Sequence, residues 1–276
     1  MTTSNKKLNS AIPNVLTIAG SDSGGGAGIQ ADIKAISANG AFAASALTAI
    51  TAQNTQGVTA VHDVPIDMIA AQIDAVMSDL NIAAIKIGML SRSEVIRLVA
   101  EKIDEYECRH VVLDPVMVAT SGDKLLLDES VEVLKTTLIP KVCVVTPNLH
   151  EAAILSGSPV ARTQKDMQST AQELAKLGAK AVLLKGGHLD GHQSGDLLLD
   201  GAGEEHWLLS ERINTQNTHG TGCTLSSALA AFLAKGESLL TAASLAKAYI
   251  HASIESANDL TVGEGSGPVH HFHTFY

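Results

Sequence analysis

The amino-acid sequence predicts an α/β fold, a mainly parallel central sheet flanked by helices. Three observations carry that expectation. Short apolar runs of strand length alternate with helix-period segments along most of the chain, the order that builds parallel sheets. Runs such as Val15-Leu16-Thr17-Ile18-Ala19 are almost wholly apolar, as in a strand buried on both faces. Polar residues with chemical potential stand directly after these runs, where open α/β sheets bind their ligands.

In chain order, the strand at 15–19 is followed by a Gly/Ser loop and a helix in which Ile29, Ile33 and Ile36 recur at spacings of four and three. Residues 43–50 and 58–64 read as strands around the turn Gln53-Asn54-Thr55-Gln56-Gly57, a hairpin at an edge or over a site. A helix over 67–80 leads into a strand at 84–88. Further strands at 111–114, 142–145 and 181–184 alternate with helical segments at 92–106, 129–138, 149–155 and 165–177. Two short strands, 196–199 and 206–209, flank Asp200-Gly201-Ala202-Gly203, and the remainder is helical over 222–234 and 239–257. Asp22, Met89, Asp114, Asn148, Lys185 and Gly186-Gly187 all follow strands and therefore converge on one crevice.

With 276 residues, 45% of them hydrophobic, the chain can bury one large core. The formal charge of −10, with no basic stripe, argues against nucleic acid and anionic membranes as partners, so an anionic substrate needs a local positive site. Cys108, Cys143 and Cys223 form no C-x-x-C pair and fit a reducing compartment. Lys6-Lys7 precedes a run interrupted by Asn9, Pro13 and Asn14, which is not a signal core, and no apolar stretch approaches a membrane span. A soluble, cytoplasmic protein is expected.

Neither a Walker A pattern nor G-x-G-x-x-G nor H-E-x-x-H occurs, which lowers the standing of P-loop ATPases, standard dinucleotide enzymes and zinc proteases. His270-His271-Phe272-His273 reads as a partly buried tail or as metal ligands. Asn217-Thr218-His219-Gly220-Thr221-Gly222-Cys223 opens an apolar helix, a pattern that offers bare backbone N–H groups to an anion. A cysteine in that first turn is expected to have a lowered pKa and so to serve as a proton acceptor; a glycine turn over a small buried cysteine is the plainer reading. The loop from Gly20 to Asp32 has glycines that let backbone approach a small ligand, with Asp32 one turn inside the helix. Asn148 and Glu151 share a face at a helix start, which suits either Mg²⁺, directly or through water, or a capping box. Lys185, leaving a strand, offers a cation to phosphates or is simply solvated.

Taken in order, the glycine loop, Gln53-Asn54-Thr55, Lys86-Ile87-Gly88-Met89, Leu113-Asp114-Pro115-Val116-Met117, Thr146-Pro147-Asn148-Leu149-His150-Glu151-Ala152, Lys185-Gly186-Gly187-His188, Asn217 to Cys223 and Gly267-Pro268-Val269-His270-His271-Phe272-His273 form a specific set. This set closely resembles the hydroxymethylpyrimidine/phosphomethylpyrimidine kinases of thiamine biosynthesis, in the ribokinase-like superfamily. The resemblance implies a three-layer sandwich with a small β flap, a single kinase domain over 13–276 and a flexible extension over 1–12. It implies transfer of the γ-phosphoryl of ATP, with Mg²⁺, to 4-amino-5-hydroxymethyl-2-methylpyrimidine and then a second transfer giving the diphosphate. By similarity, Ala27, Asp32, Gln53, Met89 and Val116 match the pyrimidine pocket, Gly220, Thr221 and Gly222 the anion hole, and Cys223 the catalytic position. Lys185 and Lys247 match the ATP side, Asp114 and Glu151 the Mg²⁺ region, and a homodimer using residues 41–64 or neighbouring edges is suggested.

One departure stands out. Many relatives have Asp-Pro-Ser-Gly-Gly-Ala-Gly where this chain has Asp22-Ser23-Gly24-Gly25-Gly26-Ala27-Gly28, a change expected to loosen the loop and to leave Asp22 as a cap. Pyridoxal is the alternative substrate, being another heterocycle bearing a CH₂OH group. A non-catalytic binding relative is a further reading, against which stand the intact Cys223, Lys185, Asp114 and Glu151; a redox role for Cys223 lacks a resolving cysteine nearby in sequence.

Overall fold

A computed structural model describes residues 12–117, 128–187 and 193–276. The extension expected over 1–12 therefore lies, apart from Ile12, outside the described residues, as do His188 and His192. In chain order the elements are β1 (Asn14–Ala19), α1 (Gly28–Ala38), β2 (Phe42–Leu47), β3 (Ala49–Asn54), β4 (Gly57–Asp63), α2 (Ile66–Asp79), β5 (Ile82–Ile87), α3 (Ser93–Glu105), β6 (Val111–Leu113) and α4 (Asp128–Val133). They continue with β7 (Val144–Val145), α5 (Leu149–Ser156), α6 (Gln164–Ala175), β8 (Val182–Leu184), β9 (Gln193–Leu199), β10 (Glu205–Glu211), α7 (Thr221–Ala234) and α8 (Leu239–Glu255).

The main sheet has the order β10-β9-β8-β7-β6-β5-β1-β2, parallel from β2 through β8 and antiparallel across β8, β9 and β10. Successive side chains of a strand point to opposite faces, and the core divides accordingly. Leu16, Ile18, Val111, Leu113, Val182 and Leu184 pack with the helices of the face that holds α2, α3, α5 and α6. Val15, Val112, Val144, Leu183 and Leu198 pack with α1, α7 and α8. A sheet between two helical layers follows directly. The chain winds outward from β1 to β2 and returns past β1 to β5, so the winding reverses beside β1 and opens a crevice at the carboxyl ends of these strands.

Two expectations need correction. The strand expected over 43–50 divides at Thr48: residues 42–47 pair with β1, while β3 begins at Ala49 and pairs with β4 in a separate two-stranded sheet. Thr48 makes the break, its N–H bonding Ala19 O and its hydroxyl donating to Met89 O at 2.8 Å. Gln53 consequently belongs to a strand; the turn holds Thr55 and Gln56, and Asn54 Oδ1 accepts the N–H groups of Gln56 and Gly57. The helix expected over 129–138 is α-helical only to Val133, then widens to a π-turn over Leu134–Leu138 and tightens to a 3₁₀ turn over Ile139–Lys141, where Pro140 cannot donate to a ladder.

Candidate active site

A cavity of about 860 Å³ occupies the crevice. Its walls come from the loop after β1, from β3, from the ends of β5, β6 and β8, and from the first turn of α7. Ala27, Gln53, Met89 and Val116 line one part, Gly220, Thr221, Gly222 and Cys223 another, and Asp114, Glu151, Lys185 and Lys247 a third. Of the residues matched to the site Asp32 does not line it, and neither do Asp22 and Gly186, which were expected to converge on the crevice. Asp32 is fully buried behind the wall, where it accepts hydrogen bonds from Thr17 Oγ1 (2.6 Å), Ser227 Oγ (2.7 Å) and both-oxygen contact from Lys86 Nζ (2.8 and 2.9 Å). Every oxygen of that carboxylate is engaged by protein, so Asp32 ties α1 to β1, β5 and α7.

Gly220 is the residue before α7 and takes a left-handed conformation, φ 79°, with no side chain capping the helix. A Cβ at Gly220 would collide with Gly26 O, so a close approach of two backbones as well as the turn requires glycine here. Thr221 N–H bonds Thr218 O and Thr224 N–H bonds Gly220 O, whereas the amides of Gly222 and Cys223 have no acceptor among the described residues and stand at the cavity. These are the bare donors from which an anion hole is made.

The Cys223 expectation is corrected. Burial pushes its thiol up to about 11, more than Lys86 and a bond from the Gly28 N–H pull it down. Helix-end polarity loses to desolvation here, and the resting group is a neutral thiol. Lys86, which sequence reading left out of the site, is itself fully buried on β5. Burial works against its charge, yet Asp32, Cys223 and Asp114 outweigh that and hold its pKa above the usual lysine value. A lysine between Ile85 and Ile87 in a buried strand was the available signal.

Next to the anion hole, Lys185 Nζ lies 2.8 Å from Asp114 Oδ1, and Thr146 Oγ1 donates to the same oxygen at 3.2 Å. A Cβ on Gly222 would stand 3.2 Å from Lys185 Nζ, which measures how closely the pair approaches the first turn of α7. Burial opposes the Lys185 charge, but Asp114 and Glu151 hold its pKa above the usual value. Lys247 pairs with Asp196 at 2.8 Å, and Asp196 also accepts the Gly186 N–H. Asn148 and Glu151 form a capping box on α5, with Asn148 Oδ1 accepting the His150 and Glu151 amides and Glu151 Oε2 accepting the Asn148 amide.

Burial pushes the Glu151 carboxyl up to about 7, with Asp114 adding to the rise and Lys185 opposing it. Its folded pKa thus exceeds the ordinary 4.5, so the folded state binds the extra proton and loses stability as pH rises from about 4.5 to about 7. Glu151→Gln keeps the capping acceptor and should flatten that decline. Thermal melts across this range, without added metal, check it: parallel pH curves for both proteins would contradict the assignment.

The tail cluster is tied into the fold, and among the described residues its histidines do not converge as a group of metal ligands. His270 and His271 are buried, Thr224 Oγ1 lies 2.9 Å from His271 Nε2, and burial pushes His271 down to about 3. Nor is the glycine loop slack. Asp22 caps the amides of Gly24, Gly26 and Ala27, and Ser23 Oγ exchanges hydrogen bonds with the Gln53 backbone, donating to its O at 2.6 Å and accepting its N–H at 2.8 Å. The expected loosening is offset by these contacts.

A crevice at the ends of parallel strands, with bare helix-end amides facing a lysine–carboxylate group, defines a site for handling a phosphoryl group on a small molecule. The sequence model of phosphomethylpyrimidine kinase matches residues 22–270. A hydroxymethylpyrimidine/phosphomethylpyrimidine kinase of Rhizobium meliloti is 55% identical, the match covering 95% of this chain and 97% of that protein. Among solved structures, a Clostridium difficile phosphomethylpyrimidine kinase superposes with a TM-score of 0.77 at 43% identity, covering 88% of this chain and 99% of that one. The pyridoxal kinase of Staphylococcus aureus in complex with AMP-PCP and pyridoxal has a TM-score of 0.88 at 35% identity, covering 96% and 95%. The chain belongs to the phosphomethylpyrimidine kinase family. It is a kinase with the ribokinase-like fold.

Proposed function

We propose that the protein phosphorylates 4-amino-5-hydroxymethyl-2-methylpyrimidine to its monophosphate and then to the diphosphate, with ATP as donor, in the formation of the thiamine pyrimidine. The observation that carries this reading is one cavity with a small-molecule wall (Ala27, Gln53, Met89, Val116) and, facing the same space, the bare amides of Gly222 and Cys223. The amide of Gln53 can pair with ring nitrogens or the amino group, and Met89 and Val116 give the ring an apolar face. The ATP-analogue complex of the Staphylococcus aureus relative supports ATP as the donor.

Phosphoryl transfer needs alignment and charge stabilisation above all. The Gly222 and Cys223 amides receive the transferred group, and Lys185 and Lys247 meet phosphate oxygens, each released from a carboxylate partner as the nucleotide binds. Asp114 and Glu151 are hard oxygen donors that line the same part of the cavity. They fit Mg²⁺, which when bound would neutralise charge on the nucleotide phosphates.

Cys223 accepts the proton of the attacking alcohol in the first transfer. With a resting pKa of about 11 it does so from a small thiolate population, so the first rate should rise with pH through neutrality. The second nucleophile, a phosphate oxygen, is already anionic. Cys223→Ala should therefore slow the first phosphorylation roughly 10²-fold or more and remove its pH dependence, while the second slows far less. Single-turnover rates for alcohol and monophosphate separate the cases: equal losses would assign Cys223 to orienting phosphate. Pyridoxal, assayed beside the pyrimidine, should give the lower kcat/KM; the reverse ranking would make this a vitamin B6 kinase.

The quaternary reading is a homodimer through residues 41–64, supported by the exposed apolar side chains of Phe42, Ile50 and Val61 on β2, β3 and β4. No helix among the described residues is long and apolar enough to cross a membrane.

A further inference from the structure

We propose that Asp22 and His219 are positioning residues for phosphoryl transfer, fixing the loop that receives the substrate ring against the loop that receives the phosphoryl group. The proposal rests on the functional reading above. His219 Nε2 donates to Asp22 Oδ2 at 2.8 Å across 197 residues of sequence, with the two side chains 8% and 1% exposed. That carboxylate also accepts the amides of Gly24 (2.8 Å), Gly26 (3.1 Å) and Ala27 (2.8 Å), so it organises the whole substrate loop. Burial works against the Asp22 charge, but the bond from His219 and those from Ala27 and Gly24 outweigh it and hold its pKa below the usual value.

The histidine is fixed equally well from its own side. Its N–H bonds Gly267 O, its carbonyl accepts the Val269 N–H, and its ring fills the space where a Cβ on Gly26 would lie. Gly220 follows immediately, pressed against Gly26 O. One side-chain hydrogen bond thus joins Ala27, on the ring side of the cavity, to the first residue of the anion hole. Together Asp22 and His219 set the distance between the two loops. In-line transfer is sensitive to that distance, a displacement of about 1 Å being able to cost on the order of 10²-fold.

The test uses the full-length enzyme and the variants His219→Ala, His219→Gln and Asp22→Asn, with kcat, KM for pyrimidine and for ATP, thermal melting and amide hydrogen exchange measured on each. His219→Ala is expected to lower kcat roughly 10–100-fold and to raise KM for the pyrimidine more than KM for ATP. His219→Gln, which keeps an N–H donor at similar reach, should recover much of the loss, and the Gly26 and Ala27 amides should exchange faster in His219→Ala well below its melting temperature. A purely structural role would lower Tm while leaving kcat and both KM values of the folded enzyme within about twofold, and that result, or unchanged exchange at Gly26 and Ala27, overturns the proposal. Absence of turnover by the unaltered enzyme instead overturns the functional reading, and the catalytic part of this proposal with it.

Discussion

Gly220→Ala should lower kcat/KM for the pyrimidine roughly 10²–10³-fold, the cost of misplacing the Gly222 and Cys223 donors that follow it. Two constraints meet at this residue. Its φ of 79° strains any L side chain by about 1–3 kcal/mol. Its missing Cβ is also what lets Gly26 O lie against it, so an added methyl must push the substrate loop and the anion hole apart. The control is Gly236→Ala: that glycine has a similar φ of 86° with no atom near the place a Cβ would take, and it lies beyond the C-terminal end of α7. Both substitutions carry backbone strain, and only the first touches the site. Full steady-state kinetics on folded samples decide the matter, and Gly220→Ala with near-normal kcat/KM would remove the anion hole from the account.

Lys86→Met should be the most destabilising of the substitutions considered, by about 3–5 kcal/mol, because it leaves the Asp32 carboxylate buried without its cation. A replacement of similar length keeps the packing of β5, so the loss reports charge and not a cavity. Thr17 and Ser227 still donate to Asp32 and soften the loss, though neutral hydroxyls do not replace an ammonium held at 2.8 and 2.9 Å. Asp32→Asn on the Lys86→Met background should restore part of the stability by removing the stranded charge, which a double-mutant cycle measures directly. In chemical denaturation the single variant should show a lower midpoint at unchanged slope. Equal stability of Lys86→Met and the unaltered protein would mean that the pair contributes nothing net.

Much of the architecture was legible because apolar runs such as 15–19 and 181–184 have only one comfortable place, the middle of a sheet covered on both sides. The hairpin was misread for a physical reason: residues 42–54 keep strand character across a change of sheet, and the break lies in the bonds of Thr48, not in its identity. Local spacing correctly offered the capping box of Asn148 and Glu151, since both partners are three residues apart. What local sequence could not reveal was environment. The helix-end position of Cys223 argued for a lowered pKa, but desolvation by residues distant in sequence reverses the sign. Likewise Asp32 finds Lys86 54 residues away and Asp22 finds His219 197 residues away, pairings that no neighbouring residue signals.

One cavity serving two successive phosphoryl transfers on a pyrimidine leaves a direct signature in the order of its products. The most direct measurement is a time course of product masses from the purified protein with Mg-ATP and 4-amino-5-hydroxymethyl-2-methylpyrimidine, run beside pyridoxal. The expected result is a monophosphate that rises first and is then converted to the diphosphate. Pyridoxal phosphate with no pyrimidine product, or no phosphorylated product from either compound, would contradict it.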